Sequence, residues 1–287
     1  MTPADYDYLC RFLKERSGLV LSAEKEYLVE SRLMPVARRN ACANVAELIQ
    51  RVMSNASDGL RIEVVEAMMN NESFFFRDRI PFERMRDTIL PDLMTKRAAQ
   101  KQIRIWCAAC STGQEPYSLA MLLDDYPGIT EWQIDILATD ISNDALEQAK
   151  SGLYSQFEVQ RGLPIQMLMR YFEQIDDQWL IGEKVRRRVR FRQSNLLSDF
   201  GSLGKFDIVF CRNVLIYFDH ATKIDVLSRI RRVMPPDGYL VLGAAETMVG
   251  LGNDFSPVPE KRALYQPSAR VPTQPTLKPV PGGVRVA

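Results

Sequence analysis

The run Ile103-Arg-Ile-Trp-Cys-Ala-Ala-Cys-Ser-Thr-Gly-Gln-Glu-Pro-Tyr-Ser118 passes from one structural pattern to another within a few residues. Ile103 to Ala108 is a short apolar strand, the residues after it are small and turn-forming, and Glu115 to Leu123 repeats apolar side chains at helical spacing. A strand that feeds a helix through small residues is the opening unit of a parallel α/β sheet. The pattern continues downstream. Gln133 to Thr139 is a second strand ended by Asp140, and Ser142 caps a helix that Gly152 terminates. Phe206 to Cys211 is a third strand, Ala221 to Val233 a helix and Gly238 to Gly243 a fourth strand. This alternation predicts an α/β fold with a mostly parallel, doubly wound sheet, and such sheets bind ligands beyond the carboxyl ends of their strands.

Upstream, residues 1–95 show helical patterns and no strand signal, which predicts an all-α N-terminal domain. Thr2 caps a first helix with Pro3 at its first position, and Tyr6, Leu9, Cys10, Phe12 and Leu13 recur at helical spacing. Ser22 opens a second helix through Asn40, which Pro35 is expected to kink or shorten. Val45 to Met53, Leu60 to Met69 and a helix from Pro81 to about Met94 follow. The α/β domain is expected over residues 96–266, with residues 153–192 as a small inserted sheet. That insert holds a short helix (Pro164 to Phe172), a strand around Trp179 to Ile181 and another over Val185 to Arg192. Residues 267–287 contain Pro267, Pro272, Pro275, Pro279 and Pro281 and little to bury, the composition of a disordered tail.

Composition narrows the function. Of 287 residues 46% are apolar and 25% charged, an ordinary globular balance, and a net charge of +1 gives no global attraction to nucleic acid or anionic membrane. No run approaches the roughly 18 consecutive apolar residues of a membrane span, and Met1 to Arg11 is too polar for a secretory signal. Five cysteines make no disulfide framework and suit a reducing cytosol. Cys107 and Cys110 form a C-x-x-C, but zinc needs two more ligands, and His220 is the sole histidine. They are expected to be small residues packed under a turn, and no metal is expected.

The chemistry gathers at strand ends. Small side chains from Ala109 to Gly113 let the backbone approach a ligand, and the absence of G-x-G-x-x-G suits a ligand without a pyrophosphate. Glu115 is placed to meet a cation, such as the amino group of a methionine moiety. Asp140 can accept from both ribose hydroxyls of a nucleoside, although aspartate is also common there as a helix cap. Ser194-Asn195-Leu196-Leu197 is placed to contact an adenine edge through a backbone group and an amide. Cys211 to Phe218 sets Arg212, Asn213 and Tyr217 at the mouth of the site.

On the motifs ACSTGQEPYS (109–118), ATDIS (138–142), SGLY (151–154), SNLL (194–197), FDIVFCRNVLIYF (206–218) and Asn70-Asn-Glu-Ser-Phe-Phe-Phe-Arg77, the chain resembles the chemotaxis receptor methyltransferase family, the CheR-type protein-glutamate O-methyltransferases. The resemblance implies a Rossmann-like domain that binds S-adenosylmethionine (SAM), a small antiparallel β-subdomain inserted in it, and a helical N-terminal domain. It implies SAM contacts at Asn71, Ser73, Arg77, Glu115, Asp140, Asn195, Leu196, Arg212 and Asn213. The implied reaction esterifies glutamates on the cytoplasmic domain of methyl-accepting chemotaxis receptors and releases S-adenosylhomocysteine. The implied enzyme is cytoplasmic, is expected to be a monomer, and neither enters the membrane nor binds nucleic acid. Ser73 stands where the family often has threonine, and Gln114 where it often has glutamate.

Arg77 and Arg212 are expected to orient carboxylates and Tyr217 to position the acceptor. A glutamate with a reference pKa of about 4.3 needs no general base. Two cationic features are candidate receptor contacts. Lys25, Arg32 and Arg39 recur every seven residues on one helix. In a strand over Val185 to Arg192, Arg186, Arg188, Arg190 and Arg192 would share one face, to meet an acidic partner or only to block aggregation at an edge. Some members of the family bind a receptor's C-terminal peptide through a glycine-containing insertion in the β-subdomain. Between Phe172 and Val185 only Gly182 is present, so binding independent of such a peptide is expected. Two rival readings remain. A nucleic-acid methyltransferase would share the SAM site, but the Asn/Asp-Pro-Pro-aromatic element of base amine methylation is replaced by Cys-Arg-Asn-Val. A non-catalytic SAM-binding adaptor would have no need of Asn71, Arg77, Arg212 and Tyr217 together.

Overall fold

The structure is a computed structural model that describes residues 1–269. It opens with α1 (Pro3–Ser17), where Thr2 and Asp5 form a reciprocal capping box, and Gly18 closes the helix in the left-handed conformation. A 3₁₀ turn at Ala23–Lys25 delays α2 to Glu26–Arg39, and Pro35 is accommodated inside it. Asn44 caps α3 (Val45–Asn55) and Ser57 caps α4 (Asp58–Met68). Leu9, Leu13, Val29, Leu33, Leu48, Ile49, Val64 and Met68 form the buried centre of this layer.

The next helical stretch is α5 (Ile80–Arg84), a π-helical turn at Met85–Ile89, and α6 (Leu90–Lys96). Its Phe82, Met85, Ile89, Leu90 and Leu93 pack with the sheet instead of the helical layer. The change of core therefore falls between Met68 and Phe75, earlier than the boundary expected near residue 95. Helical periodicity gives the buried face of each helix but does not say what covers it.

The α/β part begins with β1 (Gln102–Ala108), α7 (Gln114–Asp124), β2 (Gln133–Asp140) and α8 (Asn143–Ser151). The insert follows as β3 (Leu153–Ser155), α9 (Gln156–Gln160), α10 (Ile165–Tyr171), β4 (Phe172–Ile175), β5 (Gln178–Ile181) and α11 (Glu183–Arg186). The chain returns through β6 (Val189–Gln193), β7 (Ile208–Cys211), α12 (His220–Arg232), β8 (Tyr239–Leu242), β9 (Phe255–Pro257) and β10 (Leu264–Pro267). The seven-stranded sheet runs β6-β2-β1-β7-β8-β10-β9, and β3-β5-β4 form a separate three-stranded sheet. All pairs from β6 to β8 are parallel, while β10 is antiparallel to both its neighbours. Buried strands alternate between two cores: Ile103, Ile105 and Cys107 face one side, Trp106 and Ala108 the other. The strand order reverses at β1, which opens the crevice where such sheets bind ligands.

The structure corrects four expectations. The stretch from Val185 to Arg192 is not one strand of the small sheet. Glu183–Arg186 is helical, and Val189–Gln193 joins the edge of the large sheet beside β2 because Val189 and Phe191 bury against its core. The four arginines consequently share no single face: Arg190 and Arg192 stay two residues apart on β6, where Arg190 pairs with Asp135 at 2.7 Å, while Arg188 before the strand pairs with Asp124 at 3.1 Å and a Cβ on Gly152 would come within 2.7 Å of Arg186. That leaves two arginines, not four, on the strand on which phosphate binding would have depended. The stripe on α2 is also dispersed. Arg32 donates to the carbonyls of Met68 and Met69, and Arg39 pairs with Glu63. Finally, Pro267 ends β10 and Ser268 donates to the Asp254 carbonyl, so the part of the expected tail from residue 270 lies outside the described residues.

Candidate active site

After β1 the chain turns through Ala109 (φ 64°), Ser111 (φ 52°) and Gly113 (φ 91°), three left-handed residues in alternation. At Gly113 a Cβ would come within 2.9 Å of Ala149, so only glycine lets α7 start here. Strain of this kind persists where the surroundings over-determine it and clusters at functional sites. The bent backbone aims Ser111 N–H at Asp140 Oδ2 (2.7 Å), and Ser142 N–H reaches Oδ1 (3.0 Å). Asp140 is 6% exposed, and burial pushes its carboxyl pKa up against the pull of these backbone donors. Each oxygen keeps capacity for a further donor, as a ribose diol requires.

Glu115, in the first turn of α7, accepts from Arg212 Nη1 at 2.7 Å. Arg212 Nη2 donates to Asp78 Oδ2 at 2.9 Å and to the Arg77 carbonyl at 2.7 Å, while its Nε has no partner among the described residues. The guanidinium lies 5.7 Å from the centroid of Phe82 and the residue is 5% exposed. Burial raises the Glu115 pKa and Arg212 opposes the shift. Arg212, expected to orient carboxylates, holds two carboxylates of its own chain. Arg77 lines the same pocket. It makes no ion pair among the described residues, donates to the Glu72 carbonyl at 2.8 Å and stacks on Phe74 at 5.4 Å.

The remaining candidates meet the same hollow. The Asn71 carbonyl accepts from Ser111 Oγ at 2.7 Å, which fastens the 70–77 segment to the β1 turn, and Ser73 lies between Asn71 and Arg77 on the wall. Leu196 is buried under the rim. Asn195 Nδ2 donates to the Arg16 carbonyl at 2.6 Å, and its Oδ1 accepts from Leu197 N–H at 2.9 Å. Its amide therefore ties the helical layer down. Asn213 holds φ 58°. Tyr217 Oη accepts from Asn70 Nδ2 at 2.7 Å. All ten sequence-derived residues line one pocket of about 960 Å³, part of it open to solvent.

Three contributors escaped the sequence reading. Asp78 shares Arg212 with Glu115, and its place directly after the Phe-Phe-Phe-Arg run was the available signal. Asn70 holds the Tyr217 phenol. Glu246 accepts from the backbone N–H groups of Asn213, Val214, Leu215 and Gly243 at 2.7–3.1 Å, shaping the loop that carries Tyr217. Apart from Gly243, its partners lie some thirty residues upstream, so little local to Glu246 marks it. Cys107 and Cys110 are buried free thiols whose pKa values burial drives upward, as packing under a turn requires. No group of three or more His, Cys, Asp or Glu placed to hold a metal occurs among the described residues.

A mostly parallel sheet with Asp140 buried at the end of β2, a partly buried Glu115 beside it at the start of α7 and a helical layer closing over both is the architecture of a SAM-dependent methyltransferase. The chain belongs to the CheR methyltransferase family. Residues 71–264 match its SAM binding domain and residues 4–69 its all-alpha domain. Among curated relatives, chemotaxis protein methyltransferase 1 of Pseudomonas aeruginosa is 43% identical over 260 residues, covering 89% of this chain and 94% of that protein. Chemotaxis protein methyltransferase Cher2 of Pseudomonas putida is 41% identical over 259 residues, covering 88% and 94%. Chemotaxis protein methyltransferase 1 of Vibrio cholerae is 39% identical over 265 residues, covering 90% and 95%.

Proposed function

We propose that the protein methylates glutamate side chains on the cytoplasmic domain of methyl-accepting chemotaxis receptors, giving methyl esters and S-adenosylhomocysteine. The observation that carries this reading is one rim pocket lined by Asp140, Glu115, Arg212, Arg77 and Tyr217, with Asp78 bracing Arg212 from behind it. SAM, when bound, supplies a methyl carbon on a cationic sulfur that departs as a neutral thioether. Asp140 suits the ribose diol, Glu115 the methionine ammonium, and the backbone at Asn195 and Leu196 the adenine edge. Asn71, Ser73 and Asn213 complete the wall, and Arg212 holds Glu115 in place.

Arg77 and Tyr217 are the groups assigned to the acceptor. Its carboxylate is already ionised at cytosolic pH, so the side chains need only hold it still, and orientation alone can lower a barrier by roughly 7–11 kcal/mol. The acceptor oxygen forms the new C–O bond as the C–S bond breaks, and no proton needs to be removed. The relatives' names support the chemotaxis receptor as substrate. No helix among the described residues is long and apolar enough to cross a membrane, and the enzyme is proposed to act as a cytoplasmic monomer.

The β4–β5 connection is only Asp176 and Asp177, which supports receptor binding without a tethering peptide. Micromolar binding of such a peptide would overturn that part. The main test incubates tritiated SAM with a receptor cytoplasmic fragment. A base-labile label on glutamate is expected, and a base-stable label or none sinks the assignment.

A further inference from the structure

We propose that Asn70 is a positioning residue for methyl transfer, fixing the direction in which the Tyr217 phenol donates its hydrogen. The inference rests on the role assigned above to Tyr217. Tyr217 ends a 3₁₀ turn at Leu215–Tyr217, and it is held from the helical layer at both ends. Its carbonyl accepts from Val20 N–H at 2.9 Å, and its phenol oxygen accepts from Asn70 Nδ2 at 2.7 Å. The ring between these points packs partly against the core of the helical layer and partly against the sheet core that contains Leu215 and Phe218.

The polarity of the Asn70 bond matters more than its existence. A phenol oxygen donates one hydrogen and accepts others, whereas an ionised carboxylate only accepts. With the amide N–H occupying a lone pair, the phenolic hydrogen is left for the pocket. An arriving glutamate then completes a chain running amide N–H to phenol O–H to carboxylate, each bond polarising the next. Asn70 sits beside Asn71 at the hinge between α4 and the segment that carries Arg77, so the helical layer aims both acceptor-facing groups.

The test is a four-enzyme cycle: wild type, Asn70→Ala, Tyr217→Phe and the double variant, each with kcat, acceptor KM and calorimetric SAM affinity. Asn70→Ala is expected to lower kcat about three- to tenfold, the rate equivalent of one hydrogen bond, with SAM affinity unchanged. In the Tyr217→Phe background the same substitution should cost nothing further, a coupling that a merely structural role would not produce. Asn70→Asp, whose carboxylate takes the phenolic hydrogen for itself, should be worse than Asn70→Ala. Equal losses from Asn70→Ala in both backgrounds overturn the inference, as does an unchanged kcat where Tyr217→Phe is damaging. An unchanged kcat in Tyr217→Phe itself overturns the role of Tyr217 and this inference with it.

Discussion

The two ends of the large sheet treat charge in opposite ways. At the amino end, Arg97 pairs with Asp207 at 3.0 Å and bidentately with Asp237 at 2.8 Å, while Arg104 reaches Asp135 and caps the carbonyls of Leu203 and Lys205. That end is closed by mutually satisfied groups and is built for stability. At the carboxyl end, Arg212 Nε has no partner among the described residues, the buried Asp140 and partly buried Glu115 have raised pKa values, and Ala109, Ser111 and Asn213 hold left-handed backbone. The same strands therefore carry a sealed end and a strained, under-satisfied one. Strain and unspent hydrogen-bonding capacity mark the end that awaits a ligand.

Substitutions can break this contrast. The largest effect is expected from Arg212→Met, which leaves Glu115 and Asp78 without their shared cation. It should destabilise the fold by about 3 kcal/mol in urea titration and abolish calorimetric SAM uptake. Next, Asp140→Asn removes a charged acceptor and should weaken SAM binding by roughly 1.5–3 kcal/mol with little change in melting temperature.

The wild-type protein adds a pH signature to that comparison. Because the Asp140 pKa is raised, the carboxylate is neutralised at a pH above the ordinary value of about 4, and SAM affinity should fall as pH drops through that window. The effect on the free fold has the opposite sign. Relief of a buried charge stabilises the native state as pH falls through the same window, because there the folded chain binds more protons than the unfolded one. Asp140→Asn should flatten both responses, and a pH-independent SAM affinity in the wild type would contradict the burial assigned to Asp140.

At the sealed end, Arg97→Ala should cost about 1–3 kcal/mol of stability, its partners being only partly exposed, and leave kcat/KM unchanged at a temperature where the fold is intact. A loss of turnover there would blur the distinction between the ends. The smallest effect is expected from Glu246→Gln, which keeps one acceptor oxygen for the 213–215 loop. About 1 kcal/mol of stability and a severalfold drop in kcat, both readable in parallel melts and rate assays, would place Glu246 as a support of the Tyr217 loop.

The α/β alternation, the strand ends and the candidate residues on them were legible in the sequence, because a buried parallel strand must be apolar and must hand its polar chemistry to the turn that follows. Two helix starts were legible for a similar local reason, Thr2 and Ser142 capping the helices they precede, whereas Ser22 leads only into a 3₁₀ turn, and the caps Asn44 and Ser57 emerged from the structure. Less legible were β3, β4 and the antiparallel strands β9 and β10, each only three or four residues long and without a periodic run to mark it. The arginine run misled because alternation on paper does not say where a strand begins. Its first part coiled into a helical turn, and its second found a partner in β2.

What the amino-acid sequence determined by itself was therefore the set of residues available for chemistry and the order of the elements that carry them. Tertiary structure alone decided which of those residues remain free. Arg212 was taken by Glu115 and Asp78, the Asn195 amide by the Arg16 carbonyl and Arg32 by the end of α4, while Arg77 stayed without an ion partner among the described residues. The physical reason is that a polar side chain's role depends on what already satisfies it. Those partners come from residues far apart in the chain, brought together by cores that no local pattern encodes.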